Sequence, residues 1–360
     1  MQICRYDSGM SPPREAIPTK SSPPKAPKTP HRSGESLVVN DLARFGPKCP
    51  KYEMSLAESE RYCKSLALNH YENFSVASFL LPASMRQDFY NVYAYCRWSD
   101  DLADETPKHR NELPVTPEMN TIDLLQWWRN EMKQCFAGKF KHPVFVALGS
   151  TLVRHQLPME PFEKLLDAFC QDQHVSRYEN DEDVLAYCSG SANPVGRILL
   201  GLAKTTGADA IRQSDSICTG LQLTNFCQDV TRDALRDRIY LPKSRWAHYS
   251  ILEEEILRGK RTVSQQSALR DWVHYARNYL IQGLPLVQQV PRWLARDVQL
   301  FVRGGLALLE NIERSEFDVW QKPIEVTKSQ KLILLFQSIL FPRSIRTSKS
   351  LDKTISRCLA

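Results

Sequence analysis

The chain has 360 residues, 42% of them hydrophobic, which is enough to bury a large core in one large domain or two smaller ones. Its net charge of +6 is uneven: residues 1–51 hold nine Lys and Arg against four Asp and Glu, and residues 328–360 hold seven against one. The segment 52–327 therefore carries 6 − 11 = −5, and such an acidic body argues against a nucleic-acid-binding protein.

The first 51 residues form the first predicted segment. They are basic and rich in Pro, Ser, Lys and Thr, a composition that cannot bury enough apolar surface to offset the entropy of ordering. We predict a disordered tail at 1–51. An inert extension, a translation start assigned upstream of Met54, and a segment that binds a partner or lipid are all compatible with this composition.

Two capping boxes predict the first helices. Ser55 with Glu58 begins a helix that extends to about Asn69, and Ser84 with Gln87 begins another. The second helix is predicted to end near residue 105.

An acidic pair lies near the end of this second helix. Asp100 and Asp104 are four residues apart and share a face with Tyr93 and Arg97. Arg97 has two interpretations: a structural partner for Asp100 or Asp101, or a contact to phosphate oxygens, which its planar guanidinium suits.

Helical periodicity continues along the rest of the chain, and alternation of strand length is nearly absent. The fold class is therefore predicted to be all-α. The apolar segment 184–204 is interrupted by Gly190, Asn193-Pro194 and Gly196, which indicates a kink made either for packing or beside a ligand. Further helices are predicted at 121–137, 159–172, 264–281 and 291–318.

A second polar stripe lies within an apolar run at 221–233. Its members are three, four and four residues apart, so they share one face of a helix: Gln222, Asn225, Asp229 and Asp233. One such stripe is typical of a solvated face. Two stripes, each flanked by apolar and aromatic residues, indicate instead a site where carboxylates hold Mg²⁺, which prefers oxygen ligands and takes others from a substrate phosphate.

The C-terminal part adds basic and apolar features. Arg236 and Arg238 follow the second stripe and can bind phosphate. The apolar run 331–341 is too short to span a bilayer, and Arg343 and further basic residues follow it. This basic amphipathic tail, 331–360, is predicted to be either an interfacial membrane anchor or part of the core.

The ten cysteines include no C-x-x-C pair and no cluster with histidine, so neither a zinc site nor a disulfide framework is indicated. With no apolar run of spanning length and no signal-peptide pattern, the prediction is a cytoplasmic protein, with peripheral contact to the inner face of the membrane through its tails.

Taken together, residues 55–330 resemble the squalene/phytoene synthase family. The resemblance implies an isoprenoid synthase fold, a single helical domain at 52–330 around a central cavity, which binds Mg²⁺ and a prenyl diphosphate. The motifs that carry it are His70, Phe74-Ser75, Leu81-Pro82, Tyr93-x-x-x-Arg97-x-x-Asp100-Asp101-x-x-Asp104, Tyr187-Cys188, Gln222-x-x-Asn225-x-x-x-Asp229-x-x-x-Asp233 and Arg238-Ile239-Tyr240-Leu241-Pro242.

The resemblance also implies roles for individual residues. Metal ligands would be Asp100, Asp104, Asn225, Asp229 and Asp233. Tyr93, Tyr187 and Arg97 would be catalytic. Substrate would be bound by His70, Phe74, Ser75, Arg97, Gln222, Asn225, Arg238 and Tyr240.

Departures from the family pattern favour one branch. The chain reads Ser191-Ala192-Asn193-Pro194-Val195-Gly196 where the family usually reads Val-Ala-Gly-x-Val-Gly, Gln228 replaces an arginine, and Gly305 aligns with a late-helix tyrosine. These features are similar to the hopanoid-pathway branch that ionises presqualene diphosphate and captures the cation with water, giving hydroxysqualene. This branch implies functional partners, a presqualene diphosphate synthase and a hydroxysqualene reductase.

Two alternatives remain open. One is a squalene or phytoene synthase that condenses farnesyl or geranylgeranyl diphosphate head to head. The other is a non-catalytic helical protein that binds prenyl lipids. No Gly-rich dinucleotide fingerprint follows a strand, which favours capture by water over reduction by NADPH.

Overall fold

All regular secondary structure in the described residues is helical, as the sequence predicted. The structure, a computed structural model, describes residues 37–49, 53–70, 80–104, 106, 119–259, 261–321 and 323–343. The helices are α1 (Leu37–Phe45), α2 (Leu56–His70), α3 (Ala83–Asp104), α4 (Thr121–Phe136), α5 (Pro143–His155), α6 (Glu160–Gln171), α7 (Asp181–Ser191), α8 (Asn193–Leu202), α9 (Ala208–Gln228), α10 (Val230–Ala234), α11 (Lys243–His248), α12 (Glu253–Leu257), α13 (Val263–Gly283), α14 (Leu286–Gln289), α15 (Arg292–Arg314) and α16 (Lys328–Leu340).

One of the two predicted capping boxes is confirmed. At the start of α2, the Ser55 hydroxyl and backbone N–H both donate to Glu58, and the Glu58 N–H donates back to Ser55 Oγ. The prediction for α3 was wrong, because the helix already begins at Ala83. Gln87 instead donates from Nε2 to the Glu60 carbonyl oxygen at 3.0 Å, so its side chain ties α3 to α2.

Ordered structure begins earlier than the sequence indicated. Helix α1 lies within the segment 1–51 that we predicted to be a disordered tail, and Leu42 and Phe45 are buried in the core. Asp41 on the same helix accepts a hydrogen bond from the Tyr62 hydroxyl at 2.6 Å. Seven of the nine prolines of the segment precede α1, so an average over 51 residues hid a short amphipathic stretch. Residues 1–36 lie outside the described part.

The buried side chains form two large clusters. The first joins α1 to α6, with two residues from α8, and its centre is aromatic: Trp98 of α3 stacks on Trp128 of α4 with ring centroids 5.1 Å apart. The second joins α7 to α9 with α13 to α15. Helices α3 and α6 from the first cluster face α7 and α9 from the second, and the candidate site lies between them.

Helix α9 is the central element of the second cluster and packs along α13. Their backbones come very close: a Cβ added to Gly220 would lie 2.8 Å from the Leu280 backbone nitrogen. This contact fixes the position of the helix that carries the second acidic stripe.

The predicted interruption near Pro194 is a boundary between two helices. Helix α7 ends at Ser191, and α8 begins at Asn193 with Pro194 in its first turn, where the missing N–H of proline costs nothing. The Asn193 side chain is buried and accepts a hydrogen bond from the Thr219 hydroxyl of α9 at 2.9 Å. The break therefore contributes a packing contact between α8 and α9.

Candidate active site

The second acidic stripe keeps its common face although its helix does not continue as predicted. Helix α9 ends at Gln228, and Asp229 joins it to the short α10. The Asp229 N–H still donates to the Asn225 carbonyl at 2.9 Å, and the Asp233 N–H to the Asp229 carbonyl at 2.8 Å. Since this helical spacing is preserved, Gln222, Asn225, Asp229 and Asp233 all line one cavity.

The first acidic pair lines the same cavity from the opposite side. Asp100 and Asp104 project from the last turn of α3 into a polar cavity of about 270 Å³. The remaining lining residues come from α6, α7, α9 and the segment after α10: Leu165, Ala168, Phe169, Asp172, Tyr187, Ser191, Phe226, Arg232, Arg236, Arg238 and Tyr240.

Arginines pair with these carboxylates. Asp104 accepts hydrogen bonds from Arg236 Nη1 at 3.0 Å and Arg238 Nη1 at 3.3 Å, and Asp229 pairs with Arg232. The sequence identified Arg236 and Arg238 as phosphate-binding but not Arg232. Cations and carboxylates thus alternate around the cavity, an arrangement that can accept both an anionic phosphate and a cation.

The carboxylates of α9 and α10 are crowded. Burial, with a smaller contribution from the neighbouring Asp229, raises the pKa of Asp233 to about 7, and burial also raises the pKa of Asp229. Crowded oxygen donors of this kind suit a hard divalent cation, whose charge would favour their ionised forms. Within the described ranges, no three His, Cys, Asp or Glu side chains already converge tightly enough to hold a metal ion.

Asp172 is a cavity residue that sequence analysis missed. It follows α6 directly and accepts a hydrogen bond from the Tyr187 hydroxyl at 2.9 Å. Burial raises its pKa to about 6, while Arg238 and the Tyr187 hydroxyl act in the opposite direction. A lone acid at the end of an amphipathic helix has no periodic partner, so spacing could not distinguish it from a solvated residue.

Aromatic rings form one wall of the cavity. Phe226 and Tyr240 are stacked with ring centroids 3.9 Å apart, and Tyr187 lies 5.7 Å from Tyr240. Tyr178, which sequence analysis also missed, extends this group 5.5 Å from Tyr187. The ring faces can stabilise a cation in the cavity.

A second cavity is almost wholly apolar; it is lined by other residues of α3 and α9, two of the helices that also line the polar cavity. It has a volume of about 340 Å³ and includes Tyr93, seven residues before Asp100 on α3, and Leu221, adjacent to Gln222 on α9. Tyr93 therefore lies with the apolar cavity. The pair of cavities can accommodate a molecule with a charged end and a hydrocarbon body.

Arg97 pairs with acidic residues, which agrees with the first of its two interpretations, a structural partner for Asp100 or Asp101. It pairs with the buried Asp101, and its Nη1 lies 3.7 Å from Asp100 Oδ2; it is not among the residues that line the polar cavity. His70 is the last residue of α2, and its side chain lies outside the described residues, as do Phe74 and Ser75. The structure therefore places none of these three side chains relative to the cavity.

Gln228, one of the departures from the family pattern, is used for packing. Its Nε2 donates to the Ile324 carbonyl at 2.7 Å, which ties the end of α9 to the segment before α16. Among the predicted site residues, the polar cavity thus brings together Asp100, Asp104, Tyr187, Gln222, Asn225, Asp229, Asp233, Arg238 and Tyr240.

Comparison with known proteins gives a consistent result. A family model described as squalene/phytoene synthase matches residues 67–330. The crystal structure of squalene synthase HpnC from Alicyclobacillus acidocaldarius is 35% identical, with a TM-score of 0.68, and the match covers 73% of this chain and 96% of that one.

Two other matches support different conclusions, one about sequence similarity and one about the fold. A phytoene synthase from Arthrospira platensis is 27% identical over 303 residues, which are 80% of this chain and 94% of the relative. The crystal structure of a dehydrosqualene synthase in complex with ligand matches with a TM-score of 0.70 at 21% identity, and the match covers 79% of this chain and 97% of that one. At this identity, the match shows that the two chains share a fold and nothing more.

Proposed function

The chain belongs to the squalene/phytoene synthase family, and from this premise we propose that it ionises presqualene diphosphate and captures the resulting cation with water, releasing hydroxysqualene and diphosphate. One observation carries the proposal: two acidic stripes and three arginines line a polar cavity, and other residues of the same helices α3 and α9 line an apolar one. Such a pair suits a substrate with a diphosphate head and a long hydrocarbon body.

The chain's own residues account for binding and for protection of the cation. Arg232, Arg236 and Arg238 would hold the diphosphate oxygens, and in doing so they would release the carboxylates with which they pair. The rings of Tyr187, Tyr240 and the apolar walls would surround the carbocation, each ring face contributing about 0.5–2 kcal/mol.

Mg²⁺ is the proposed cofactor. Asp100, Asp104, Asn225, Asp229 and Asp233 would hold it, because their oxygens are the donors that a hard cation prefers. When bound, the metal neutralises charge on the departing diphosphate as the carbon–oxygen bond breaks. Gln222, Tyr187 and Arg238 would orient the substrate beside these ligands.

The choice of branch has its own support. The 35% identity to a squalene synthase HpnC supports the squalene branch of the family, and the departures at Asn193-Pro194, Gln228 and Gly305 favour the hydroxysqualene reaction within it. A presqualene diphosphate synthase and a hydroxysqualene reductase would then supply the substrate and consume the product.

A condensing synthase is the second candidate. It is favoured by phytoene synthase relatives such as that of Arthrospira platensis, which match along 80% of this chain. It would join two farnesyl or geranylgeranyl diphosphates head to head in the same pair of cavities. A non-catalytic prenyl-lipid carrier is disfavoured. Burial raises the pKa of Asp229 and of Asp233, and such carboxylates destabilise the fold unless they bind a ligand or take part in a reaction.

Helix α16 supports peripheral contact with an anionic membrane. Its exposed apolar residues are spaced to share one face of the helix, and the exposed Phe341 follows directly after its end. These residues are Leu332, Ile333, Phe336, Leu340 and Phe341. Exposed Lys328, Lys331 and Arg343 flank this apolar face. None of the helices in the described residues is long and apolar enough to cross a bilayer.

The experiment that distinguishes the candidates is a product analysis. Purified protein with Mg²⁺ is incubated with presqualene diphosphate or farnesyl diphosphate, each with and without NADPH, and the products are identified by mass spectrometry. Hydroxysqualene formed from presqualene diphosphate without NADPH is the expected result. Presqualene diphosphate or squalene formed from farnesyl diphosphate would establish the condensing reaction instead.

The Asp229→Ala variant tests the role of the second stripe. Removing this carboxylate should lower turnover at least 100-fold, because the charge that develops on the leaving group loses its counter-ion site. The matched control is Asp209→Ala at the start of the same helix, where the carboxylate is exposed and pairs only with Arg212 among the described contacts. Wild-type turnover by Asp229→Ala with an unchanged melting temperature would contradict the proposed metal site.

A further inference from the structure

The apolar cavity contains a buried acid that the roles assigned so far do not use. Asp297 projects from α15 into this cavity, and its residue is only 2% exposed. No other Asp, Glu, Lys, Arg or His of the described residues lines the cavity, whose walls are mostly aliphatic and aromatic. A carboxyl group in such surroundings needs an explanation, since a buried charge is normally paired.

Asp297 has no hydrogen-bond partner within the described residues. Both of its carboxyl oxygens are buried and unpaired, and the Nε of the adjacent Arg296 is unpaired as well. Leaving a buried polar group unsatisfied typically costs about 1–3 kcal/mol, and more when it is charged. Burial raises the pKa of Asp297 to about 8, although the charge of Arg296 acts in the opposite direction. The group is thus ready to bind a polar ligand that enters the cavity.

The other polar atoms of the cavity are weak or already engaged. Ser214 and Cys218 lie on α9 and interact with each other, and a Cβ at Gly196 would lie within 2.6 Å of both. Tyr93 also takes part in an interaction elsewhere. Within the described lining, the two carboxyl oxygens of Asp297 therefore remain without a hydrogen-bond partner and can accept hydrogen bonds from a ligand.

Gly305, two turns after Asp297 on α15, adds no polar group. A Cβ at this position would lie 3.0 Å from Leu280 Cδ1 and 3.1 Å from Leu221 Cδ2, so leucine side chains fill the space beside it. Gly305 is the position at which the family resemblance expects a tyrosine. Among the described residues of this helix, the polar group that reaches the apolar cavity is the Asp297 carboxyl.

We propose that the Asp297 carboxyl binds the water molecule that captures the carbocation and accepts a proton from it. This inference rests on the proposed function, in which water ends the reaction. The water oxygen forms a bond to the cationic carbon, one O–H bond of the water breaks, and its proton passes to the Asp297 carboxylate, which later releases it to solvent. No oxidant or reductant is consumed, and the product is the neutral alcohol.

The surroundings favour this use of the carboxylate. A carbocation that passes from the aromatic wall of the polar cavity into the apolar cavity would stabilise the ionised form of Asp297, because opposite charges attract strongly where water is scarce. The apolar walls offer few other anchors for water, which needs two to four polar partners to remain in a cavity. A single anchored water would thus reach one carbon, and the alcohol would form at one position.

The test is the product distribution of two variants with presqualene diphosphate and Mg²⁺. In Asp297→Leu, the fraction of product that is alcohol should fall at least tenfold and be replaced by hydrocarbons formed by proton loss from the cation. Asp297→Asn, which can hold water but cannot take its proton, should give an intermediate fraction. The control is Asp271→Asn on α13, an exposed carboxylate bonded to Tyr249, which should leave the distribution unchanged.

Thermal unfolding separates this role from a structural one. Because an unpaired buried carboxyl destabilises the fold, Asp297→Leu should melt at or above the wild-type temperature, and Asp297→Asn, which keeps a buried polar group, should melt close to it. A wild-type alcohol fraction in Asp297→Leu, or equal fractions in wild type and both variants, would overturn the inference while leaving the proposed function intact. If the wild type itself forms no alcohol from presqualene diphosphate, the proposed function fails, and this inference fails with it.

Discussion

At the scale of single residues, Asp172 and Tyr187 form the contact with the clearest chemical consequence. The Tyr187 hydroxyl donates to Asp172 Oδ2 at 2.9 Å, and this bond favours the ionised carboxylate while burial opposes it. Burial, opposed by the charge of Arg238 and then by this hydrogen bond, leaves the pKa of Asp172 at about 6, well above that of an exposed aspartate. The charge of the polar cavity therefore changes within the physiological range of pH.

This contact predicts a pH profile. If turnover needs ionised Asp172, it should fall as the pH drops through about 6. Tyr187→Phe removes a donor to the ionised form, so the acid limb should move to higher pH by about one pH unit, as expected for one hydrogen bond to a charged group. Turnover should then fall about tenfold at pH 5 but only about twofold at pH 7. The measurement is the rate of diphosphate release between pH 5 and 8.

Tyr178→Phe is the matched control for this prediction. The Tyr178 hydroxyl is buried next to Tyr187 but has no hydrogen-bond partner among the described residues. Its removal should leave the acid limb and the rate unchanged. A Tyr187→Phe variant with the wild-type profile would show that the bond to Asp172 does not affect the reaction.

The residues that could be predicted are those with a repeated spacing. Asp100 with Asp104, and Asn225 with Asp229 and Asp233, were recognisable because helical geometry places such residues on one face. Asp172 and Asp297 have no partner at helical spacing, and they meet the cavities only through packing between helices distant in sequence. A single acid beside Arg296 is typical of a solvated helix face, so no local signal indicates that Asp297 is buried.

At the scale of helices, the site depends on the close approach of α9 and α13. A Cβ at Gly220 would lie 2.8 Å from the Leu280 backbone nitrogen, and one at Gly283 would lie 2.7 Å from the Gln213 carbonyl oxygen. Backbone atoms cannot move aside as the end of a side chain can. The two glycines therefore set the distance between the helices and, with it, the position of the second acidic stripe.

Adding a methyl group at Gly220 should separate the two helices. We expect Gly220→Ala to lower the free energy of unfolding by about 1–3 kcal/mol, as is typical of overpacking. Gly304→Ala is the control: it also lies inside a helix, but a Cβ there would meet nothing within 4 Å, so it should raise stability by about 0.5–1 kcal/mol. Urea unfolding monitored by circular dichroism measures both. Equal effects of the two substitutions would contradict the packing role of Gly220.

At the scale of the whole molecule, charge and apolar surface are separated. The body carries the acidic stripes, whereas residues 328–360 hold seven basic residues and one acidic residue. Helix α16 packs against α15 through one side and exposes an apolar face on the other. The two interpretations of this segment, core packing and interfacial anchoring, are thus compatible with opposite faces of the same helix.

This arrangement predicts binding to anionic vesicles. Phe336→Asp places a carboxylate on the exposed apolar face of α16, and it should reduce the fraction of full-length protein that floats with phosphatidylserine-containing vesicles about tenfold or more. Val153→Asp is the control, because Val153 is 81% exposed on α5, away from the basic segment. Flotation of both variants at the wild-type level, or no binding by the wild type, would remove the proposed membrane contact.

The fold class and most long helices followed from periodicity, because an amphipathic helix buries one face wherever it lies. The same reasoning missed α5 (Pro143–His155) and the short helices α11, α12 and α14. Eight of the thirteen residues of α5 are buried, so its polar face is too narrow to give a clear period. Short helices have little periodicity of their own and depend on tertiary contacts.

The ion pairs of Asp104 have one more consequence. They connect α3 in the first buried cluster with the segment after α10 beside the second, and their side chains are partly exposed to solvent. The Debye length is about 10 Å at 0.1 M and shortens as salt is added, so added salt weakens ion pairs that are partly exposed to solvent, whereas it scarcely affects the glycine contacts between α9 and α13. Raising the ionic strength should therefore loosen the contact between α3 and the segment after α10, while α9 stays fixed against α13. Amide hydrogen exchange should then become faster in α10 before it does so in α9.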